Sequence, residues 1–252
     1  MSRTPPPLTD AEDQPASRSE TIALTLRQEI LLGQYRPGER LPSERDLALR
    51  FQTGRGPVRE ALKRLEQLGI ASVQHGGARA VAIEDCTLDV LEPLLELEPV
   101  PDPRLVDQLL EVFGVLVHLA AKAALRAADD AQLQEIKQRA RELAREDNNE
   151  LDRHLALREF TRYLIEVSDH LVLRLTMNGL VTSCLQRLFE SVLPVDLDND
   201  AYRKLANELC EAVDDRDYEH LGSAMQKLNR FFRNSVSAAL EARYTVRKSS
   251  HA

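Results

Sequence analysis

The chain has 252 residues, enough for two domains or one large one, and carries a formal net charge of −8 from 33 Lys/Arg and 41 Asp/Glu. The charge is uneven: residues 18–83 hold 11 Lys/Arg against 7 Asp/Glu, whereas residues 84–252 hold 21 against 31. This excludes a uniformly basic nucleic-acid coat and places any contact with phosphate in the N-terminal part.

Residues 1–17, rich in Pro, Ser and acid and without the apolar core of a signal peptide, read as a disordered tail. No uninterrupted apolar run approaches the ~20 residues that span a bilayer. Cys86, Cys184 and Cys210 are widely spaced and odd in number, as expected of thiols in a reducing compartment. A soluble cytoplasmic protein is expected.

Residues 18–84 form the first module. Ile22, Leu26 and Ile30 recur at helical spacing, predicting a helix from Ser19 or Glu20 to Leu32 with Gly33 after its C-terminus. A Pro37–Gly38 turn and a short extended piece at Arg40–Leu41 follow. Ser43, with Asp46 three residues on, opens a second helix as a variant capping box, and Leu47, Ala48 and Phe51 supply its buried face. A third helix starts near Arg55, with Pro57 in its first turn and Val58, Ala61, Leu62, Leu65 and Leu68 on one stripe. Arg55, Arg59 and Lys63 stay off that stripe. The planar fork of arginine suits both guanine and phosphate. After Gly69, the segments Ile70–Gln74 and Arg79–Ile83 alternate around His75-Gly76-Gly77-Ala78, predicting a hairpin. Helix, turn, basic helix and wing suit insertion into the major groove of DNA.

These residues resemble the winged helix-turn-helix domain of the GntR family of bacterial transcription regulators. LPSERDLA is close to the family's LPSERELA, and GRGPVREALKRLEQLG is similar to its SRTPVREALRRLEAEG. The resemblance implies DNA contacts from Arg45 in the second helix and from Arg55 and Arg59 at the start of the third, where the neighbouring Gly54, Gly56 and Pro57 are also expected to lie against DNA. His75 and Gly76 would contribute from the wing. Gly54 and Gly56 depart from the family pattern, replacing the usual hydroxyl residues beside Arg55. That removes an N-cap and a DNA contact while opening the backbone N–H groups to close approach, so an altered operator preference is expected.

Residues 85–103 read as a connector, in which TLDVLEPLLELE is a short apolar helix or pair of turns broken by Pro93. Residues 104–245 read as an all-α bundle with helices at Arg104–Ala128, Asp129–Asp147, Glu150–Ser168, Asp169–Leu193, Ala201–Asp214 and Asp217–Arg243. The fold class is therefore mainly α. His154 and His170 read as partly exposed polar residues. This half is similar to the helical effector-binding domain of the FadR subfamily within GntR, through stretches such as LVDQLLEVF, LRLTMNGL and YRKLANELC.

Many members of that subfamily hold a metal through one Asp and three His. The matching positions here are Leu157, Thr161, Ala206 and Leu228, and an arginine that often faces the pocket is Phe113. No metal and no other cofactor is expected. Phe113, Leu157, Thr161, Ala206 and Leu228 would line an apolar ligand site, which disfavours a small unpaired carboxylate. Two readings stand: an apolar effector such as a fatty acyl-CoA, or a filled core that binds nothing. Where fatty-acid-responsive members carry a Tyr-Gly…Ser…Trp set on the last helix, this chain has Gln226, Lys227, Arg230 and Asn234.

No nucleophile elbow, phosphate-binding loop, dinucleotide fingerprint or His-rich metal set occurs, so no catalytic residue is assigned and an enzyme is not expected. The expected partners are double-stranded DNA bearing a pseudo-palindromic operator, a second copy of the chain and a small apolar effector, with no membrane. An enzyme tethered to DNA, or a scaffold whose winged module binds protein, are the competing classes.

Overall fold

The computed structural model describes residues 17–180 and 197–250, so the N-terminal tail as far as Ala16, the expected helical stretch to Leu193 and Cys184 lie outside the described residues. The chain divides into two compact units at Pro93/Leu94.

The first unit opens with α1 (Arg18–Leu31), whose N-cap Ser17 accepts from the Glu20 N–H. Gly33 follows at φ +75°, a left-handed conformation that closes the helix without the strain a Cβ would bring. Helix α2 (Glu44–Arg50) is capped by Ser43, whose Oγ accepts from the Asp46 N–H and donates to its carboxylate at 2.6 Å. Only Leu47 of its expected inner face is buried; Ala48 and Phe51 are half-buried. Phe51 falls at the C-cap, beyond the inward stripe, and its ring instead lies 4.9 Å under the Arg50 guanidinium. Helix α3 (Arg55–Gln67) buries Val58, Ala61, Leu62 and Leu65 against α1, while Leu68 is a half-buried C-cap.

The hairpin is tighter than its alternation predicts. Strand β1 (Ala71–Gln74) pairs antiparallel with β2 (Gly77–Ala80), leaving His75 and Gly76 as a two-residue turn. The second strand starts two residues early because Gly76 and Gly77 adopt φ +112° and +122°, conformations open to glycine. Backbone bonds from Gly38 to Ala80 and from Leu41 to Ala78 lay the Arg40 segment along β2. Across α1 and α2, Arg50 bonds both carboxylate oxygens of Glu29, which also accepts from the Tyr35 hydroxyl.

Pro93 does not break the connector helix. It is the third residue of α4 (Leu91–Leu95), in a first turn where a missing N–H costs nothing.

The second unit contains α5 (Pro103–Ala127), α6 (Asp130–Leu143), α7 (Glu150–Val167), α8 (Leu171–Leu180), α9 (Asn199–Asp214) and α10 (Tyr218–Ser250). Their starts are written in side chains: Asp102, Asp129, Asn149 and Asp198 each accept from first-turn N–H groups, with full capping boxes at Asp129 and Asn149. The α7–α8 joint uses Asp169 at φ +49°, and His170 Nδ1 accepts from the Leu173 N–H. His170 is thus a cap as well as an exposed residue.

The core helix is α5, packed most extensively on α10 and also on α7 and α8. Arg233 of α10 grips the Asp107 carboxylate of α5 bidentately at 2.6 and 2.7 Å. One correction concerns its composition: α5 is long and apolar enough to cross a bilayer by those measures alone. Its buried face, with Val106, Val117, Ala120, Ala121 and Ala124 essentially inaccessible, belongs to the bundle interior.

Candidate nucleic-acid interface and effector region

In the first unit, the basic residues stand on the solvent side of α2 and α3 because the apolar stripe fixes which side faces inward. Arg45, Arg55 and Arg59 are all exposed. No hydrogen bond or ion pair engages the side chains of Arg45 or Arg55 among the described residues. Arg59 Nε donates to Glu44 Oε2 at 2.8 Å, joining α3 to α2. Such an exposed pair is worth roughly 0–1 kcal/mol, so it orients Arg59 without withholding it from a stronger anion.

Helix α3 begins at Gly54, which provides no side-chain cap bond. Its φ of −77° is open to any residue, and a Cβ on Gly54 or Gly56 would meet nothing within 4 Å. The backbone does not need these glycines. The left-handed residue of the helix-to-helix turn is Gln52 at φ +49°. What the glycines provide is bare N–H groups at a helix N-terminus, which favours anions. Pro57 is half-buried in the first turn.

His75 and Gly76 are exposed at the wing tip, while Arg79 Nη1 donates to the Gly38 carbonyl at 2.8 Å and so braces the wing. A Cβ on Gly77 would approach Arg40 Nε to 3.0 Å, so the Arg40 guanidinium lies close against the hairpin at this glycine. The sequence pattern gives Arg40 no role; its contact depends on Gly77 pairing with Gln74 in the register that the two-residue turn sets.

In the second unit the expected lining residues sit on four helices. Ala206 of α9 and Leu228 of α10 are fully buried and Thr161 of α7 is buried, whereas Leu157 of α7 and Phe113 of α5 are half-buried. Leucine, threonine, alanine and leucine do not fit a divalent metal, which needs carboxylate or imidazole donors. Gln226, Lys227, Arg230 and Asn234 are exposed on α10.

One turn along the same helix faces stand polar groups that sequence reasoning missed. Arg153 of α7 is only 7% exposed and donates from Nη1 to Asn199 Oδ1. Its guanidinium stacks 5.3 Å over the Tyr202 ring of α9, and Tyr202 in turn meets Phe232 of α10 edge-on at 6.0 Å. His154 is half-buried, in keeping with the partly exposed position expected of it. Its Nδ1 lies 3.0 Å from the Glu150 carbonyl and its ring meets Phe232 at 5.1 Å. Burial lowers the His154 pKa and pushes the Tyr202 hydroxyl well above the usual phenol range.

Comparison with known proteins matches this two-part architecture. The family model "Bacterial regulatory proteins, gntR family" matches residues 18–81, and the FCD domain model matches residues 108–230. An uncharacterized HTH-type transcriptional regulator of Mycobacterium tuberculosis is 44% identical over 71 residues, 27% of this chain and 29% of that protein. The fatty acid metabolism regulator protein of Yersinia pestis is 30% identical over 200 residues, 77% of this chain and 80% of its own length. Among solved structures, one described as Lar, which controls expression of the Listeria monocytogenes agr system, superposes with a TM-score of 0.51. It is 16% identical and covers 91% of this chain and 99% of its own, a likeness of fold. The chain belongs to the GntR family of bacterial transcription regulators, with a winged helix-turn-helix DNA-binding domain, a FadR-like FCD effector domain and no enzymatic role.

Proposed function

We propose that the chain is a homodimeric repressor that works in the cytoplasm, reading a pseudo-palindromic operator through α3 and releasing it when a small effector fills the helical unit. The observation that carries this reading is the solvent face of α3. Arg55 and Arg59 stand exposed beside Arg45, over the uncapped N–H groups at Gly54 and Gly56, with Pro57 fixing the first turn. His75 and Gly76 reach the backbone or minor groove from the wing. Repression follows because a dimer seated across a promoter blocks polymerase with no further contact.

Dimerisation is supported by apolar surface. Val112, Val115 and Leu119 on α5 and Leu171, Val172 and Leu175 on α8 are 44–68% exposed, and the two helices pack on each other. Large apolar side chains gathered on neighbouring helices mark an interaction surface, and a symmetric partner matches a symmetric operator. The effector is one with an apolar chain, such as an acyl-CoA. The names of the Yersinia relatives and the apolar set of Phe113, Leu157, Ala206 and Leu228 with Thr161 support that class.

The test pairs light scattering with gel shifts on duplexes selected from a random pool. The wild-type chain is expected to run as a dimer and shift selected DNA. Val115→Arg with Leu175→Arg should run as a monomer, and Arg55→Ala with Arg59→Ala should stay dimeric and lose the shift. A double-alanine variant that shifts DNA normally would remove the assigned reading face.

A further inference from the structure

Among the described residues of the helical unit six buried side-chain polar atoms have no hydrogen-bond partner, and three of them, Arg153 Nε, His154 Nε2 and Tyr202 Oη, lie together. They form a connected group, since Arg153 stacks on Tyr202, Tyr202 meets Phe232 and Phe232 meets His154. Buried polar groups are nearly always satisfied, and an arginine 7% exposed with no carboxylate partner among the described residues calls for an anion.

The group's location gives it a purpose. Arg153, Leu157 and Thr161 follow one another at four-residue steps on α7; Tyr202 and Ala206 do so on α9, and Leu228 and Phe232 on α10. Residues four apart share a helix face. The polar group is therefore the next layer beyond the apolar set of Leu157, Ala206 and Leu228, at the level marked by the Tyr202–Phe232 and His154–Phe232 contacts.

We infer that Arg153 and Tyr202 are the head-group end of the effector site, and that the effector is an amphipath with an apolar body and a terminal oxyanion. With Nη1 held by Asn199, the Nε–Nη2 edge of Arg153 keeps two parallel donors that match two oxygens of a carboxylate or phosphate. The Tyr202 hydroxyl supplies a further donor, and its burial keeps it protonated. This adds a charged end to the apolar set expected from the sequence, where a small carboxylate would have been left unpaired. It rests on the reading that the helical unit holds an effector.

The test is calorimetry on the full-length dimer at pH 8 with three ten-carbon probes: decanoate, decyl phosphate and decanol. At least one anion should bind ten-fold or more tighter than decanol, and which one identifies the oxyanion. Arg153→Met should erase that preference. Tyr202→Phe, which removes only an unpartnered hydroxyl and so should fold as well as wild type, should weaken the anion at least threefold and leave decanol unchanged. Equal binding of all three probes would overturn the head-group inference and leave the apolar-effector reading standing. An anion preference that survives both substitutions would overturn it too. Binding of none would overturn both.

Discussion

The two units carry their functions in different ways. In the DNA-binding unit the residues proposed to meet DNA lie within 32 positions, from Arg45 to Gly76, on consecutive elements, and all but the half-buried Pro57 are exposed. In the helical unit the candidate site is drawn from α7, α9 and α10, and its key polar side chains are buried. A surface that meets a large polyanion gains from exposed, uncommitted charge. A site for a small molecule gains from charge withheld from water, where one arginine can decide which ligand is accepted. On the proposed reading the same residue type does opposite jobs: Arg55 is exposed to solvent, and Arg153 is buried against the Tyr202 ring.

That contrast can be broken or sharpened by substitution. The largest effect is expected from Phe160→Ala, which empties a fully buried position of α7 and should lower the unfolding free energy in urea by about 3–5 kcal/mol. Next is Arg55→Lys, which keeps the charge and loses the planar fork. It should leave melting unchanged while costing about 1–3 kcal/mol of discrimination between selected and scrambled duplex, measured by fluorescence anisotropy. Equal loss on both duplexes would reduce Arg55 to a phosphate contact.

Acid should act on both units alike. Hydrogen bonds from Arg50, Arg233 and Lys137 hold the carboxyls of Glu29, Asp107 and Asp214 below their ordinary range. A depressed carboxyl contributes stability that is fully present above its unfolded value, near pH 4, and lost as pH falls through the lower folded value. The unfolding free energy should therefore hold from neutral pH to about 5 and decline below 4, by less than about 1 kcal/mol per group because the pairs are partly exposed. The smallest effect belongs to Gly54→Ser. It installs an N-cap in open space and should stabilise the first unit by a few tenths of a kcal/mol while changing the preferred operator.

How much of this was legible in the sequence follows from the range of each interaction. Ser43, Asp129 and Asn149 announce helix starts because a cap bonds within three residues, and the α3 stripe is legible because its period is local. The wing's register differs by two residues from the one alternation predicts, since alternation alone cannot show that Gly76 and Gly77 both sit at positive φ. Phe51 and Pro93 were misplaced for a similar reason: a boundary shift of one or two positions turns a core residue into a cap and a breaker into a first-turn residue. Arg153 was missed because a charged residue is normally counted as surface. Its place at the head of the four-residue series Arg153, Leu157 and Thr161 is the available signal. Its meaning required Tyr202, 49 positions away.

The most direct test of the central claim is the salt dependence of binding to duplex DNA selected from a random pool. The account predicts a two-fold symmetric consensus and a log–log slope of several units for the wild-type dimer, about 0.9 per phosphate neutralised. The slope should become shallower when Arg55 and Arg59 are replaced by alanine. A pool that yields no symmetric sequence, or binding that ignores salt, would contradict it.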